Sequence, residues 1–122
     1  KHMKKLISRS DPSAFIALSA MVGSIEENAL GGWYGYRASK SALNMFLKTI
    51  SIELKRSGYK THVGAIHPGT THTALSSAFV ANVAHRVWSP NESAENILEV
   101  IDSLDSGETG FFKNWDGTSI PW

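Results

Sequence analysis

Residues 34–56, which read YGYRASKSALNMFLKTISIELKR, decide the fold because they predict one long helix. Its apolar residues recur at spacings of three and four, the period of a helix face: Ala42, Leu43, Phe46, Leu47, Ile50 and Leu54. Gly58 follows as a stop signal. Two apolar runs of strand length flank the helix, residues 14–18 and 61–67, and runs of this kind are typical of strands buried in a parallel sheet.

A second helix and a third strand follow. Ser89-Pro90-Asn91-Glu92 combines an N-cap serine, a proline at the first helical position and the glutamate of a capping box. The predicted apolar face of this helix consists of Ala94, Ile97, Leu98, Ile101 and Leu104, with Gly107 as its end. Residues 110–115 predict a strand, followed by a turn at Asp116-Gly117. Residues 1–9 indicate the end of a leading helix, while residues 74–87 are apolar enough for a helix but have no cap.

The predicted order is helix, strand, long helix, strand, helix and strand. Such alternation is typical of an α/β fold with a parallel sheet and right-handed crossovers. A chain of 122 residues is long enough for one domain. Its 42% hydrophobic and 19% charged residues are typical of an ordered globular protein.

The composition excludes several classes of function. Twelve basic and eleven acidic residues leave a formal charge of +1, which argues against a nucleic-acid partner, because phosphate binding needs clustered lysine and arginine. Without cysteine, the chain has no disulfide, thiolate nucleophile or zinc–thiolate site. No apolar run approaches the roughly 18 residues of a membrane span, and no signal peptide is evident. We therefore expect a soluble cytoplasmic protein with no membrane partner.

Tyr36 and Lys40 are the candidate catalytic pair. Their four-residue spacing places both on one face of the long helix. A tyrosine phenol has a pKa of about 10, and a nearby ammonium stabilises the phenolate, so such a pair is suited to proton transfer near neutral pH. The spacing alone is weak evidence, but predicted strands end at Leu18-Ser19 and at Pro68-Gly69, and ligands of open α/β sheets bind beyond the carboxyl ends of strands.

The chain resembles the short-chain dehydrogenases/reductases. Tyr36, Ser39 and Lys40 match their Tyr-x-x-x-Lys core, and residues 68–73, PGTTHT, match their Pro-Gly-x-x-x-Thr segment. GSI at 23–25, GGWY at 31–34, KSALN at 40–44 and DGTSIPW at 116–122 are similar to one branch, the C-factor-like proteins and sniffer-type carbonyl reductases. The resemblance covers essentially the whole chain and implies the C-terminal half of a doubly wound, Rossmann-type parallel sheet.

This resemblance implies an NAD(P)-dependent oxidoreductase that reduces a carbonyl compound or oxidises the matching alcohol. Tyr36 would give the proton to the carbonyl oxygen, and Lys40 would stabilise the phenolate and hold the ribose hydroxyls. The backbone of Thr71 and the side chain of Thr73 would lie near the nicotinamide carboxamide. The implied cofactor-binding residues are Tyr36, Lys40, Pro68, Gly69, Thr71 and Thr73. The cofactor would be NADP or NAD, with NADP favoured.

Two departures from the family pattern matter. Members are about twice as long, and their first half carries a Gly-rich phosphate loop that is missing here. Residues 1–122 are therefore interpreted as the C-terminal half of one nucleotide-binding domain, which alone should bind a dinucleotide poorly. The family also ends its fifth strand with two serines, the second facing the substrate, where this chain has Ser19-Ala20. Either Ser19 or Ser24 could supply the catalytic hydroxyl, or merely cap a turn.

A second hypothesis comes from a different class of protein. The chain could belong to a signalling or scaffold protein that keeps the fold without turnover, and Ala20 in place of the second serine favours this. Met45 and Ile52 lie off the main apolar stripe of the long helix. Together with the helix packing of relatives, they predict a homodimer or a homotetramer.

The remaining candidates are aromatic residues and histidines. Trp33, Tyr34 and Trp88 could line a substrate pocket or belong to the core. His67 and His72 flank the Pro-Gly turn without a matching carboxylate set, so no metal site is predicted.

Overall fold

Strands and helices alternate along the chain. The computed structural model describes residues 5–7, 9–74, 76–77, 83 and 85–122. Its elements are β1 Ser13–Leu18, a short 3-10 helix Met21–Gly23, α1 Tyr34–Arg56, β2 Thr61–His67, β3 Thr70–Thr71, β4 Val87–Trp88, α2 Pro90–Asp102 and β5 Phe111–Asn114. β1, β2 and β5 form a parallel sheet in that order, and β3 pairs with β4, also in parallel. The predicted α/β fold with a parallel sheet is thus confirmed.

Local signals explain most of the element boundaries. α1 and β2 occupy the predicted residues. α2 begins with the predicted capping box: the Ser89 hydroxyl accepts a hydrogen bond from the Glu92 amide at 3.2 Å, and the Glu92 carboxylate accepts one from the Ser89 amide at 2.8 Å. This helix ends at Asp102 with Ser103 as its C-cap, before Gly107, which lies in the next turn with a φ of +83°.

Two apolar cores lie on opposite faces of the sheet. The core on the side of α1 contains Leu47, Leu54, Val63, Ala65, Phe112 and Ile120. The core on the side of α2 contains Ile66, Val100 and Phe111. Because side chains alternate along a strand, the neighbours Phe111 and Phe112 lie on different faces. The sheet is therefore covered by a helix on each face, as in a doubly wound fold.

Part of the predicted apolar stripe of α1 is not buried. Phe46 is 66% exposed and Ala42 is exposed as well, whereas Asn44 and Ser51 are buried. Phe46 and Ala42 share the predicted apolar period but therefore lie outside the buried face of α1. The buried face of α1 includes Asn44 because the loop after β1 packs against this part of the helix through Gly23.

Three other expectations need correction or fall outside the described part. Lys5 has a 3-10 helical conformation and is followed by a turn, and residues 1–4 and 8 of the expected leading helix lie outside the described part. On α2, Leu98 is 58% exposed, while Ser93 and Val100 are buried. Most of residues 75–84 also lie outside the described part, and β3 and β4 form a small parallel pair that was not predicted.

The outer edges of the sheet differ. Beside β5 the C-terminal residues fold back, since Lys113 forms an antiparallel bridge with Ser119 and the Ile120 amide donates to the Phe112 carbonyl at 2.8 Å. No described strand pairs with the outer edge of β1. None of the described helices has the length and apolar character needed to cross a membrane.

Candidate active site

Tyr36 and Lys40 lie on the first turns of α1, beside the carboxyl end of β1. The Lys40 ammonium donates a hydrogen bond to the carbonyl of Leu18, the last residue of β1, with 3.0 Å between the nitrogen and the oxygen. The same nitrogen lies 5.8 Å from the centroid of the Tyr36 ring. Tyr36 is 49% exposed, so a small molecule can reach its ring. The pair thus lies at the edge of the sheet where α/β proteins bind ligands.

A glycine holds the loop after β1 close to these turns of α1. A Cβ built on Gly23 would lie 2.7 Å from the Lys40 Cβ, closer than real side chains approach. The Gly23 carbonyl accepts hydrogen bonds from the Ser41 hydroxyl at 2.8 Å and from the Asn44 amide at 3.4 Å. Glycine at this position therefore lets the 3-10 helix lie directly against the helix turn that carries Lys40.

Asn44 is the centre of a buried network that sequence reasoning missed. It is 3% exposed, and its Oδ1 accepts a hydrogen bond from the Ser19 hydroxyl at 2.6 Å. Its Nδ2 donates to the Gly23 carbonyl, so both ends of the buried amide are satisfied. Asn44 thereby ties the residue after β1 to the helix one turn beyond Lys40. The signal in the sequence was a lone amide among apolar neighbours in KSALNMFL.

The two candidate serines have partners of their own. Ser19 is 4% exposed and donates its hydroxyl proton to Asn44. Ser24 is 2% exposed, and its hydroxyl accepts a hydrogen bond from the Glu27 amide at 3.1 Å, which caps a turn. Within the described residues, neither hydroxyl forms a hydrogen bond with the tyrosine–lysine pair.

Residues 68–73 leave the carboxyl end of β2 at the same edge of the sheet. Ser93, buried on the first turn of α2, fixes this segment, because its hydroxyl donates to the Pro68 carbonyl at 3.2 Å and accepts from the Thr71 hydroxyl at 3.0 Å. Thr73 is exposed, and its amide and hydroxyl close a local turn with Ser76. Four of the residues expected to bind the cofactor, Pro68, Gly69, Thr71 and Thr73, thus follow β2 directly, on a segment anchored to α2.

Gly69 is packed between two tryptophans. Its φ is +73°, and a Cβ there would lie 2.9 Å from the Trp88 ring and 3.0 Å from the Trp115 ring. The centroids of the two rings are 4.7 Å apart. Since Trp88 is 8% exposed, it belongs to the core rather than to a pocket wall. The Pro-Gly turn therefore rests on a fixed aromatic pair.

His67, the last residue of β2, has a strongly perturbed pKa. Burial, with a smaller contribution from the charge of His85, lowers the pKa of His67 from 6.5 to about 4. Its Nδ1 atom is buried and has no hydrogen-bond partner among the described residues. In the part of the chain that the structure describes, no three potential metal ligands are grouped as a metal site.

Known proteins of similar sequence and structure include reductases and a signalling protein. The chain is 33% identical to C-signal of Myxococcus xanthus, over 86% of this chain and 58% of that protein. Carbonyl reductase Sniffer of D. melanogaster matches with a TM-score of 0.75 and 33% identity, over 89% of this chain and 41% of that chain. A short-chain dehydrogenase/reductase of Burkholderia multivorans with bound NADP matches with a TM-score of 0.77 and 25% identity, over 98% and 48% of the two chains. The chain belongs to the short-chain dehydrogenase/reductase family.

Membership of the short-chain dehydrogenases/reductases confirms the resemblance carried by YRASK and PGTTHT. No family model matches the chain. The chain spans about half the length of the curated relatives it matches, most of which are named oxidoreductases.

Proposed function

We propose that the protein containing this chain is an NADP(H)-dependent oxidoreductase that reduces a carbonyl compound or oxidises the matching alcohol. The observation that carries the proposal is the pairing of Tyr36 and Lys40 at the carboxyl end of β1, with the ammonium 3.0 Å from the Leu18 carbonyl oxygen. A solved relative holds NADP, which favours NADP over NAD.

Tyr36 is the proton donor and acceptor in this proposal. During reduction its hydroxyl donates a proton to the carbonyl oxygen, and during oxidation its phenolate takes a proton from the alcohol. The Lys40 ammonium stabilises the phenolate between these steps. When bound, the nicotinamide supplies the hydride to the carbonyl carbon or accepts it from the alcohol carbon.

The residues of this chain fit the nicotinamide end of the cofactor. The Lys40 ammonium, which lies at the carboxyl end of β1, would hold the ribose hydroxyls. The Thr71 backbone and the exposed Thr73 hydroxyl would hold the carboxamide from the end of β2. Pro68 and Gly69 would form the adjoining backbone, which Ser93 fixes. The chain has no Gly-rich phosphate loop, so the pyrophosphate would bind to another part of the domain.

Ser24 is the better of the two candidate serines for stabilising negative charge on the substrate oxygen. The hydroxyl proton of Ser19 is donated to Asn44 at 2.6 Å. The Ser24 hydroxyl accepts a hydrogen bond from Glu27, and within the described residues its proton has no acceptor. It therefore retains a donor for the developing charge, as an oxyanion stabiliser requires.

We further propose that residues 1–122 form the C-terminal half of one nucleotide-binding domain. The outer edge of β1, with which no described strand pairs, supports this, because a further strand can pair there.

Assembly into a homodimer or homotetramer is also proposed. The exposed side of α1 carries Met45, Phe46 and Ile52, which are 67%, 66% and 50% exposed. Such an apolar surface is typical of an interface between copies. Light scattering of the full-length protein at micromolar concentration is expected to give the mass of a dimer or tetramer, and a monomer alone would contradict the proposal.

A signalling or scaffold role without turnover is the second candidate function. Ala20 at the position of the family's second serine favours it, as does the similarity to C-signal. Oxidation of NADPH in the presence of aldehydes, ketones and quinones separates the two candidates. Turnover with any of them supports the oxidoreductase, and its absence across the panel supports the scaffold.

Tyr36→Phe tests the residue assignment. The variant keeps the ring but removes the proton, so turnover by the full-length protein is expected to fall by about 100-fold or more, with an unchanged melting temperature. Tyr34→Phe is the matched control, since Tyr34 begins the same helix and is 87% exposed. Near wild-type turnover in Tyr36→Phe would show that the assignment is wrong.

A further inference from the structure

Trp33, the N-cap of α1, differs in its surroundings from the other three tryptophans of the chain. Trp88 and Trp115 pack on each other, and Trp122 stacks on Phe112 with 5.6 Å between the ring centroids. Trp33 is 65% exposed, and its indole has no ring or hydrogen-bond partner among the described residues. A large aromatic ring left in water is typical of a binding surface.

The backbone holds Trp33 in a conformation that tryptophan rarely adopts. Its φ is 49° and its ψ is 41°, and it is the one non-glycine residue with a positive φ in the described part. Gly31 and Gly32, directly before it, have φ values of 66° and 70°. Such strain persists only where surrounding contacts impose it, and it is concentrated at ligand sites.

Arg37 supplies those contacts. Its Nε lies 3.0 Å from the Gly32 carbonyl oxygen and its Nη2 lies 3.1 Å from that of Gly31. Its own amide donates to the Trp33 carbonyl at 2.9 Å. Trp33 is therefore fixed to the helix turn that carries Tyr36, and about 4.5 Å of rise along the helix axis separates the two residues.

The loop around Trp33 carries two carboxylates, and Arg37 carries a positive charge beside it. Glu26 and Glu27 are its charged residues between Ser19 and Tyr36. The Arg37 guanidinium donates to backbone carbonyls, including that of Val22 at 3.2 Å. A flat substrate ring would meet the exposed indole of Trp33 here.

We propose that Trp33 determines substrate specificity by packing on the ring of an aromatic aldehyde or ketone whose carbonyl oxygen lies at Tyr36. This rests on the proposed function, which places the carbonyl there. Arg37 acts as a positioning residue, because it holds Gly31, Gly32 and Trp33 against α1.

Steady-state reduction of three aldehydes by the full-length protein tests the proposal. Benzaldehyde is flat and neutral, propanal has no ring, and 4-carboxybenzaldehyde adds a negative charge. Trp33→Ala is expected to raise KM for benzaldehyde about three- to tenfold, to leave KM for propanal unchanged, and to be rescued by Trp33→Phe. KM for 4-carboxybenzaldehyde is expected to rise in Trp33→Ala as well, because this aldehyde has the same ring.

Leu30→Ala is the matched control, because Leu30 is a 93% exposed apolar residue of the same loop. It should affect none of the three aldehydes. Equal losses of benzaldehyde and propanal reduction in Trp33→Ala would overturn the proposal, since that result indicates a structural role only. A change of oligomeric mass in both Trp33→Ala and Leu30→Ala, without discrimination between aldehydes, would overturn it in favour of a protein interface.

Binding distinguishes failure of this inference from failure of the proposed function. If the unmodified protein reduces none of these aldehydes and no member of the panel of ketones and quinones, the proposed function fails by itself. Saturation-transfer NMR of benzyl alcohol in the presence of NADP then decides the inference. Loss of the signal in Trp33→Ala supports a role for Trp33 in binding the ring, and an unchanged signal overturns it.

Discussion

The two outer edges of the sheet are completed in different ways. Beside β5, the Asn114 amide donates to the Thr118 carbonyl at 2.8 Å, and Ile120 inserts into the core on the side of α1, where it is 7% exposed. No described strand pairs with the outer edge of β1, and Leu18 at the end of β1 is 53% exposed.

This difference indicates at which edge a further strand could pair. A strand with a free edge leaves N–H and C=O groups unpaired and available to another strand. The β5 edge is closed by the chain itself, so the β1 edge is the one to which a further strand would add. The consequence for function is direct, because Lys40 is anchored to Leu18, the last residue of the open strand.

The largest expected effect follows from the open edge. Residues 1–122 expressed alone are expected to lack a cooperative thermal transition and to bind no NADPH at micromolar concentration. With the β1 edge open and the apolar residues beside it exposed, the isolated residues lack interactions that would stabilise the fold. NADPH binding is expected to fail because the sequence of residues 1–122 contains no Gly-rich phosphate loop. Circular dichroism and calorimetric titration check both expectations.

The full-length protein is the control, since it should melt cooperatively and bind NADPH. A cooperative melt and micromolar binding by residues 1–122 alone would contradict the interpretation of the two edges. The chain would then be a complete small α/β module.

The next largest effect is expected at the closed edge. Ile120→Ala in the full-length protein removes a buried side chain of the α1-side core and is expected to lower the free energy of unfolding by about 2–4 kcal/mol. Ser119→Ala is the matched control, because Ser119 is exposed and forms its bridge to Lys113 through the backbone. Urea denaturation measures both variants. Equal stability of the two variants would show that the tail does not complete the sheet.

A smaller effect is expected between β2 and β5. A Cβ on Gly64 would overlap the Phe111 ring on the neighbouring strand. Gly64→Ala is therefore expected to lower the free energy of unfolding by about 1–3 kcal/mol.

The double variant Gly64→Ala, Phe111→Leu tests the cause, because the smaller side chain makes room for the added methyl group. It should lose less stability than the sum of the two single changes. Additive losses would mean that the contact with Phe111 does not explain why glycine stands at this position.

Elements with strong local signals could be predicted from the sequence. The limits of α1 follow from its apolar period and Gly58, and the start of α2 follows from the capping box at Ser89. The position of Tyr36 and Lys40 at the carboxyl edge followed from the order of strands and helices. For the helix limits, a short segment of sequence contains the information. For the position of Tyr36 and Lys40, the order of the elements contains it.

Features that depend on distant contacts could not be predicted. The burial of Asn44 and the exposure of Phe46 depend on how α1 is rotated, which the close approach of Gly23 to Lys40 determines. The two-residue strands β3 and β4 have too little sequence to give a periodic signal. The return of the tail to the β5 edge likewise depends on a partner strand and not on the turn residues alone.

The smallest expected effect lies at the carboxyl end of β2, between the two edges. Burial lowers the pKa of His67 from 6.5 to about 4, so the unfolded chain takes up this proton at a higher pH than the folded protein does. The contribution of neutral His67 to the free energy of unfolding is therefore fully present well above pH 6.5 and is lost as the pH decreases toward 4. Proton linkage at His67 predicts that the free energy of unfolding falls by roughly 1 kcal/mol between pH 7.5 and pH 5.5.

His67→Gln in the full-length protein isolates this contribution, because glutamine does not titrate. Urea denaturation at both pH values should show a shallower pH dependence for this variant than for the unmodified protein. The lowered pKa values of Glu92, Glu108 and Asp116 also reduce stability in acid, but they contribute to both proteins and cancel in the difference. His72→Gln is the matched control, because it makes the same substitution at an exposed histidine five residues further along the chain. An identical pH dependence with and without His67 would mean that its imidazole is not held neutral by burial.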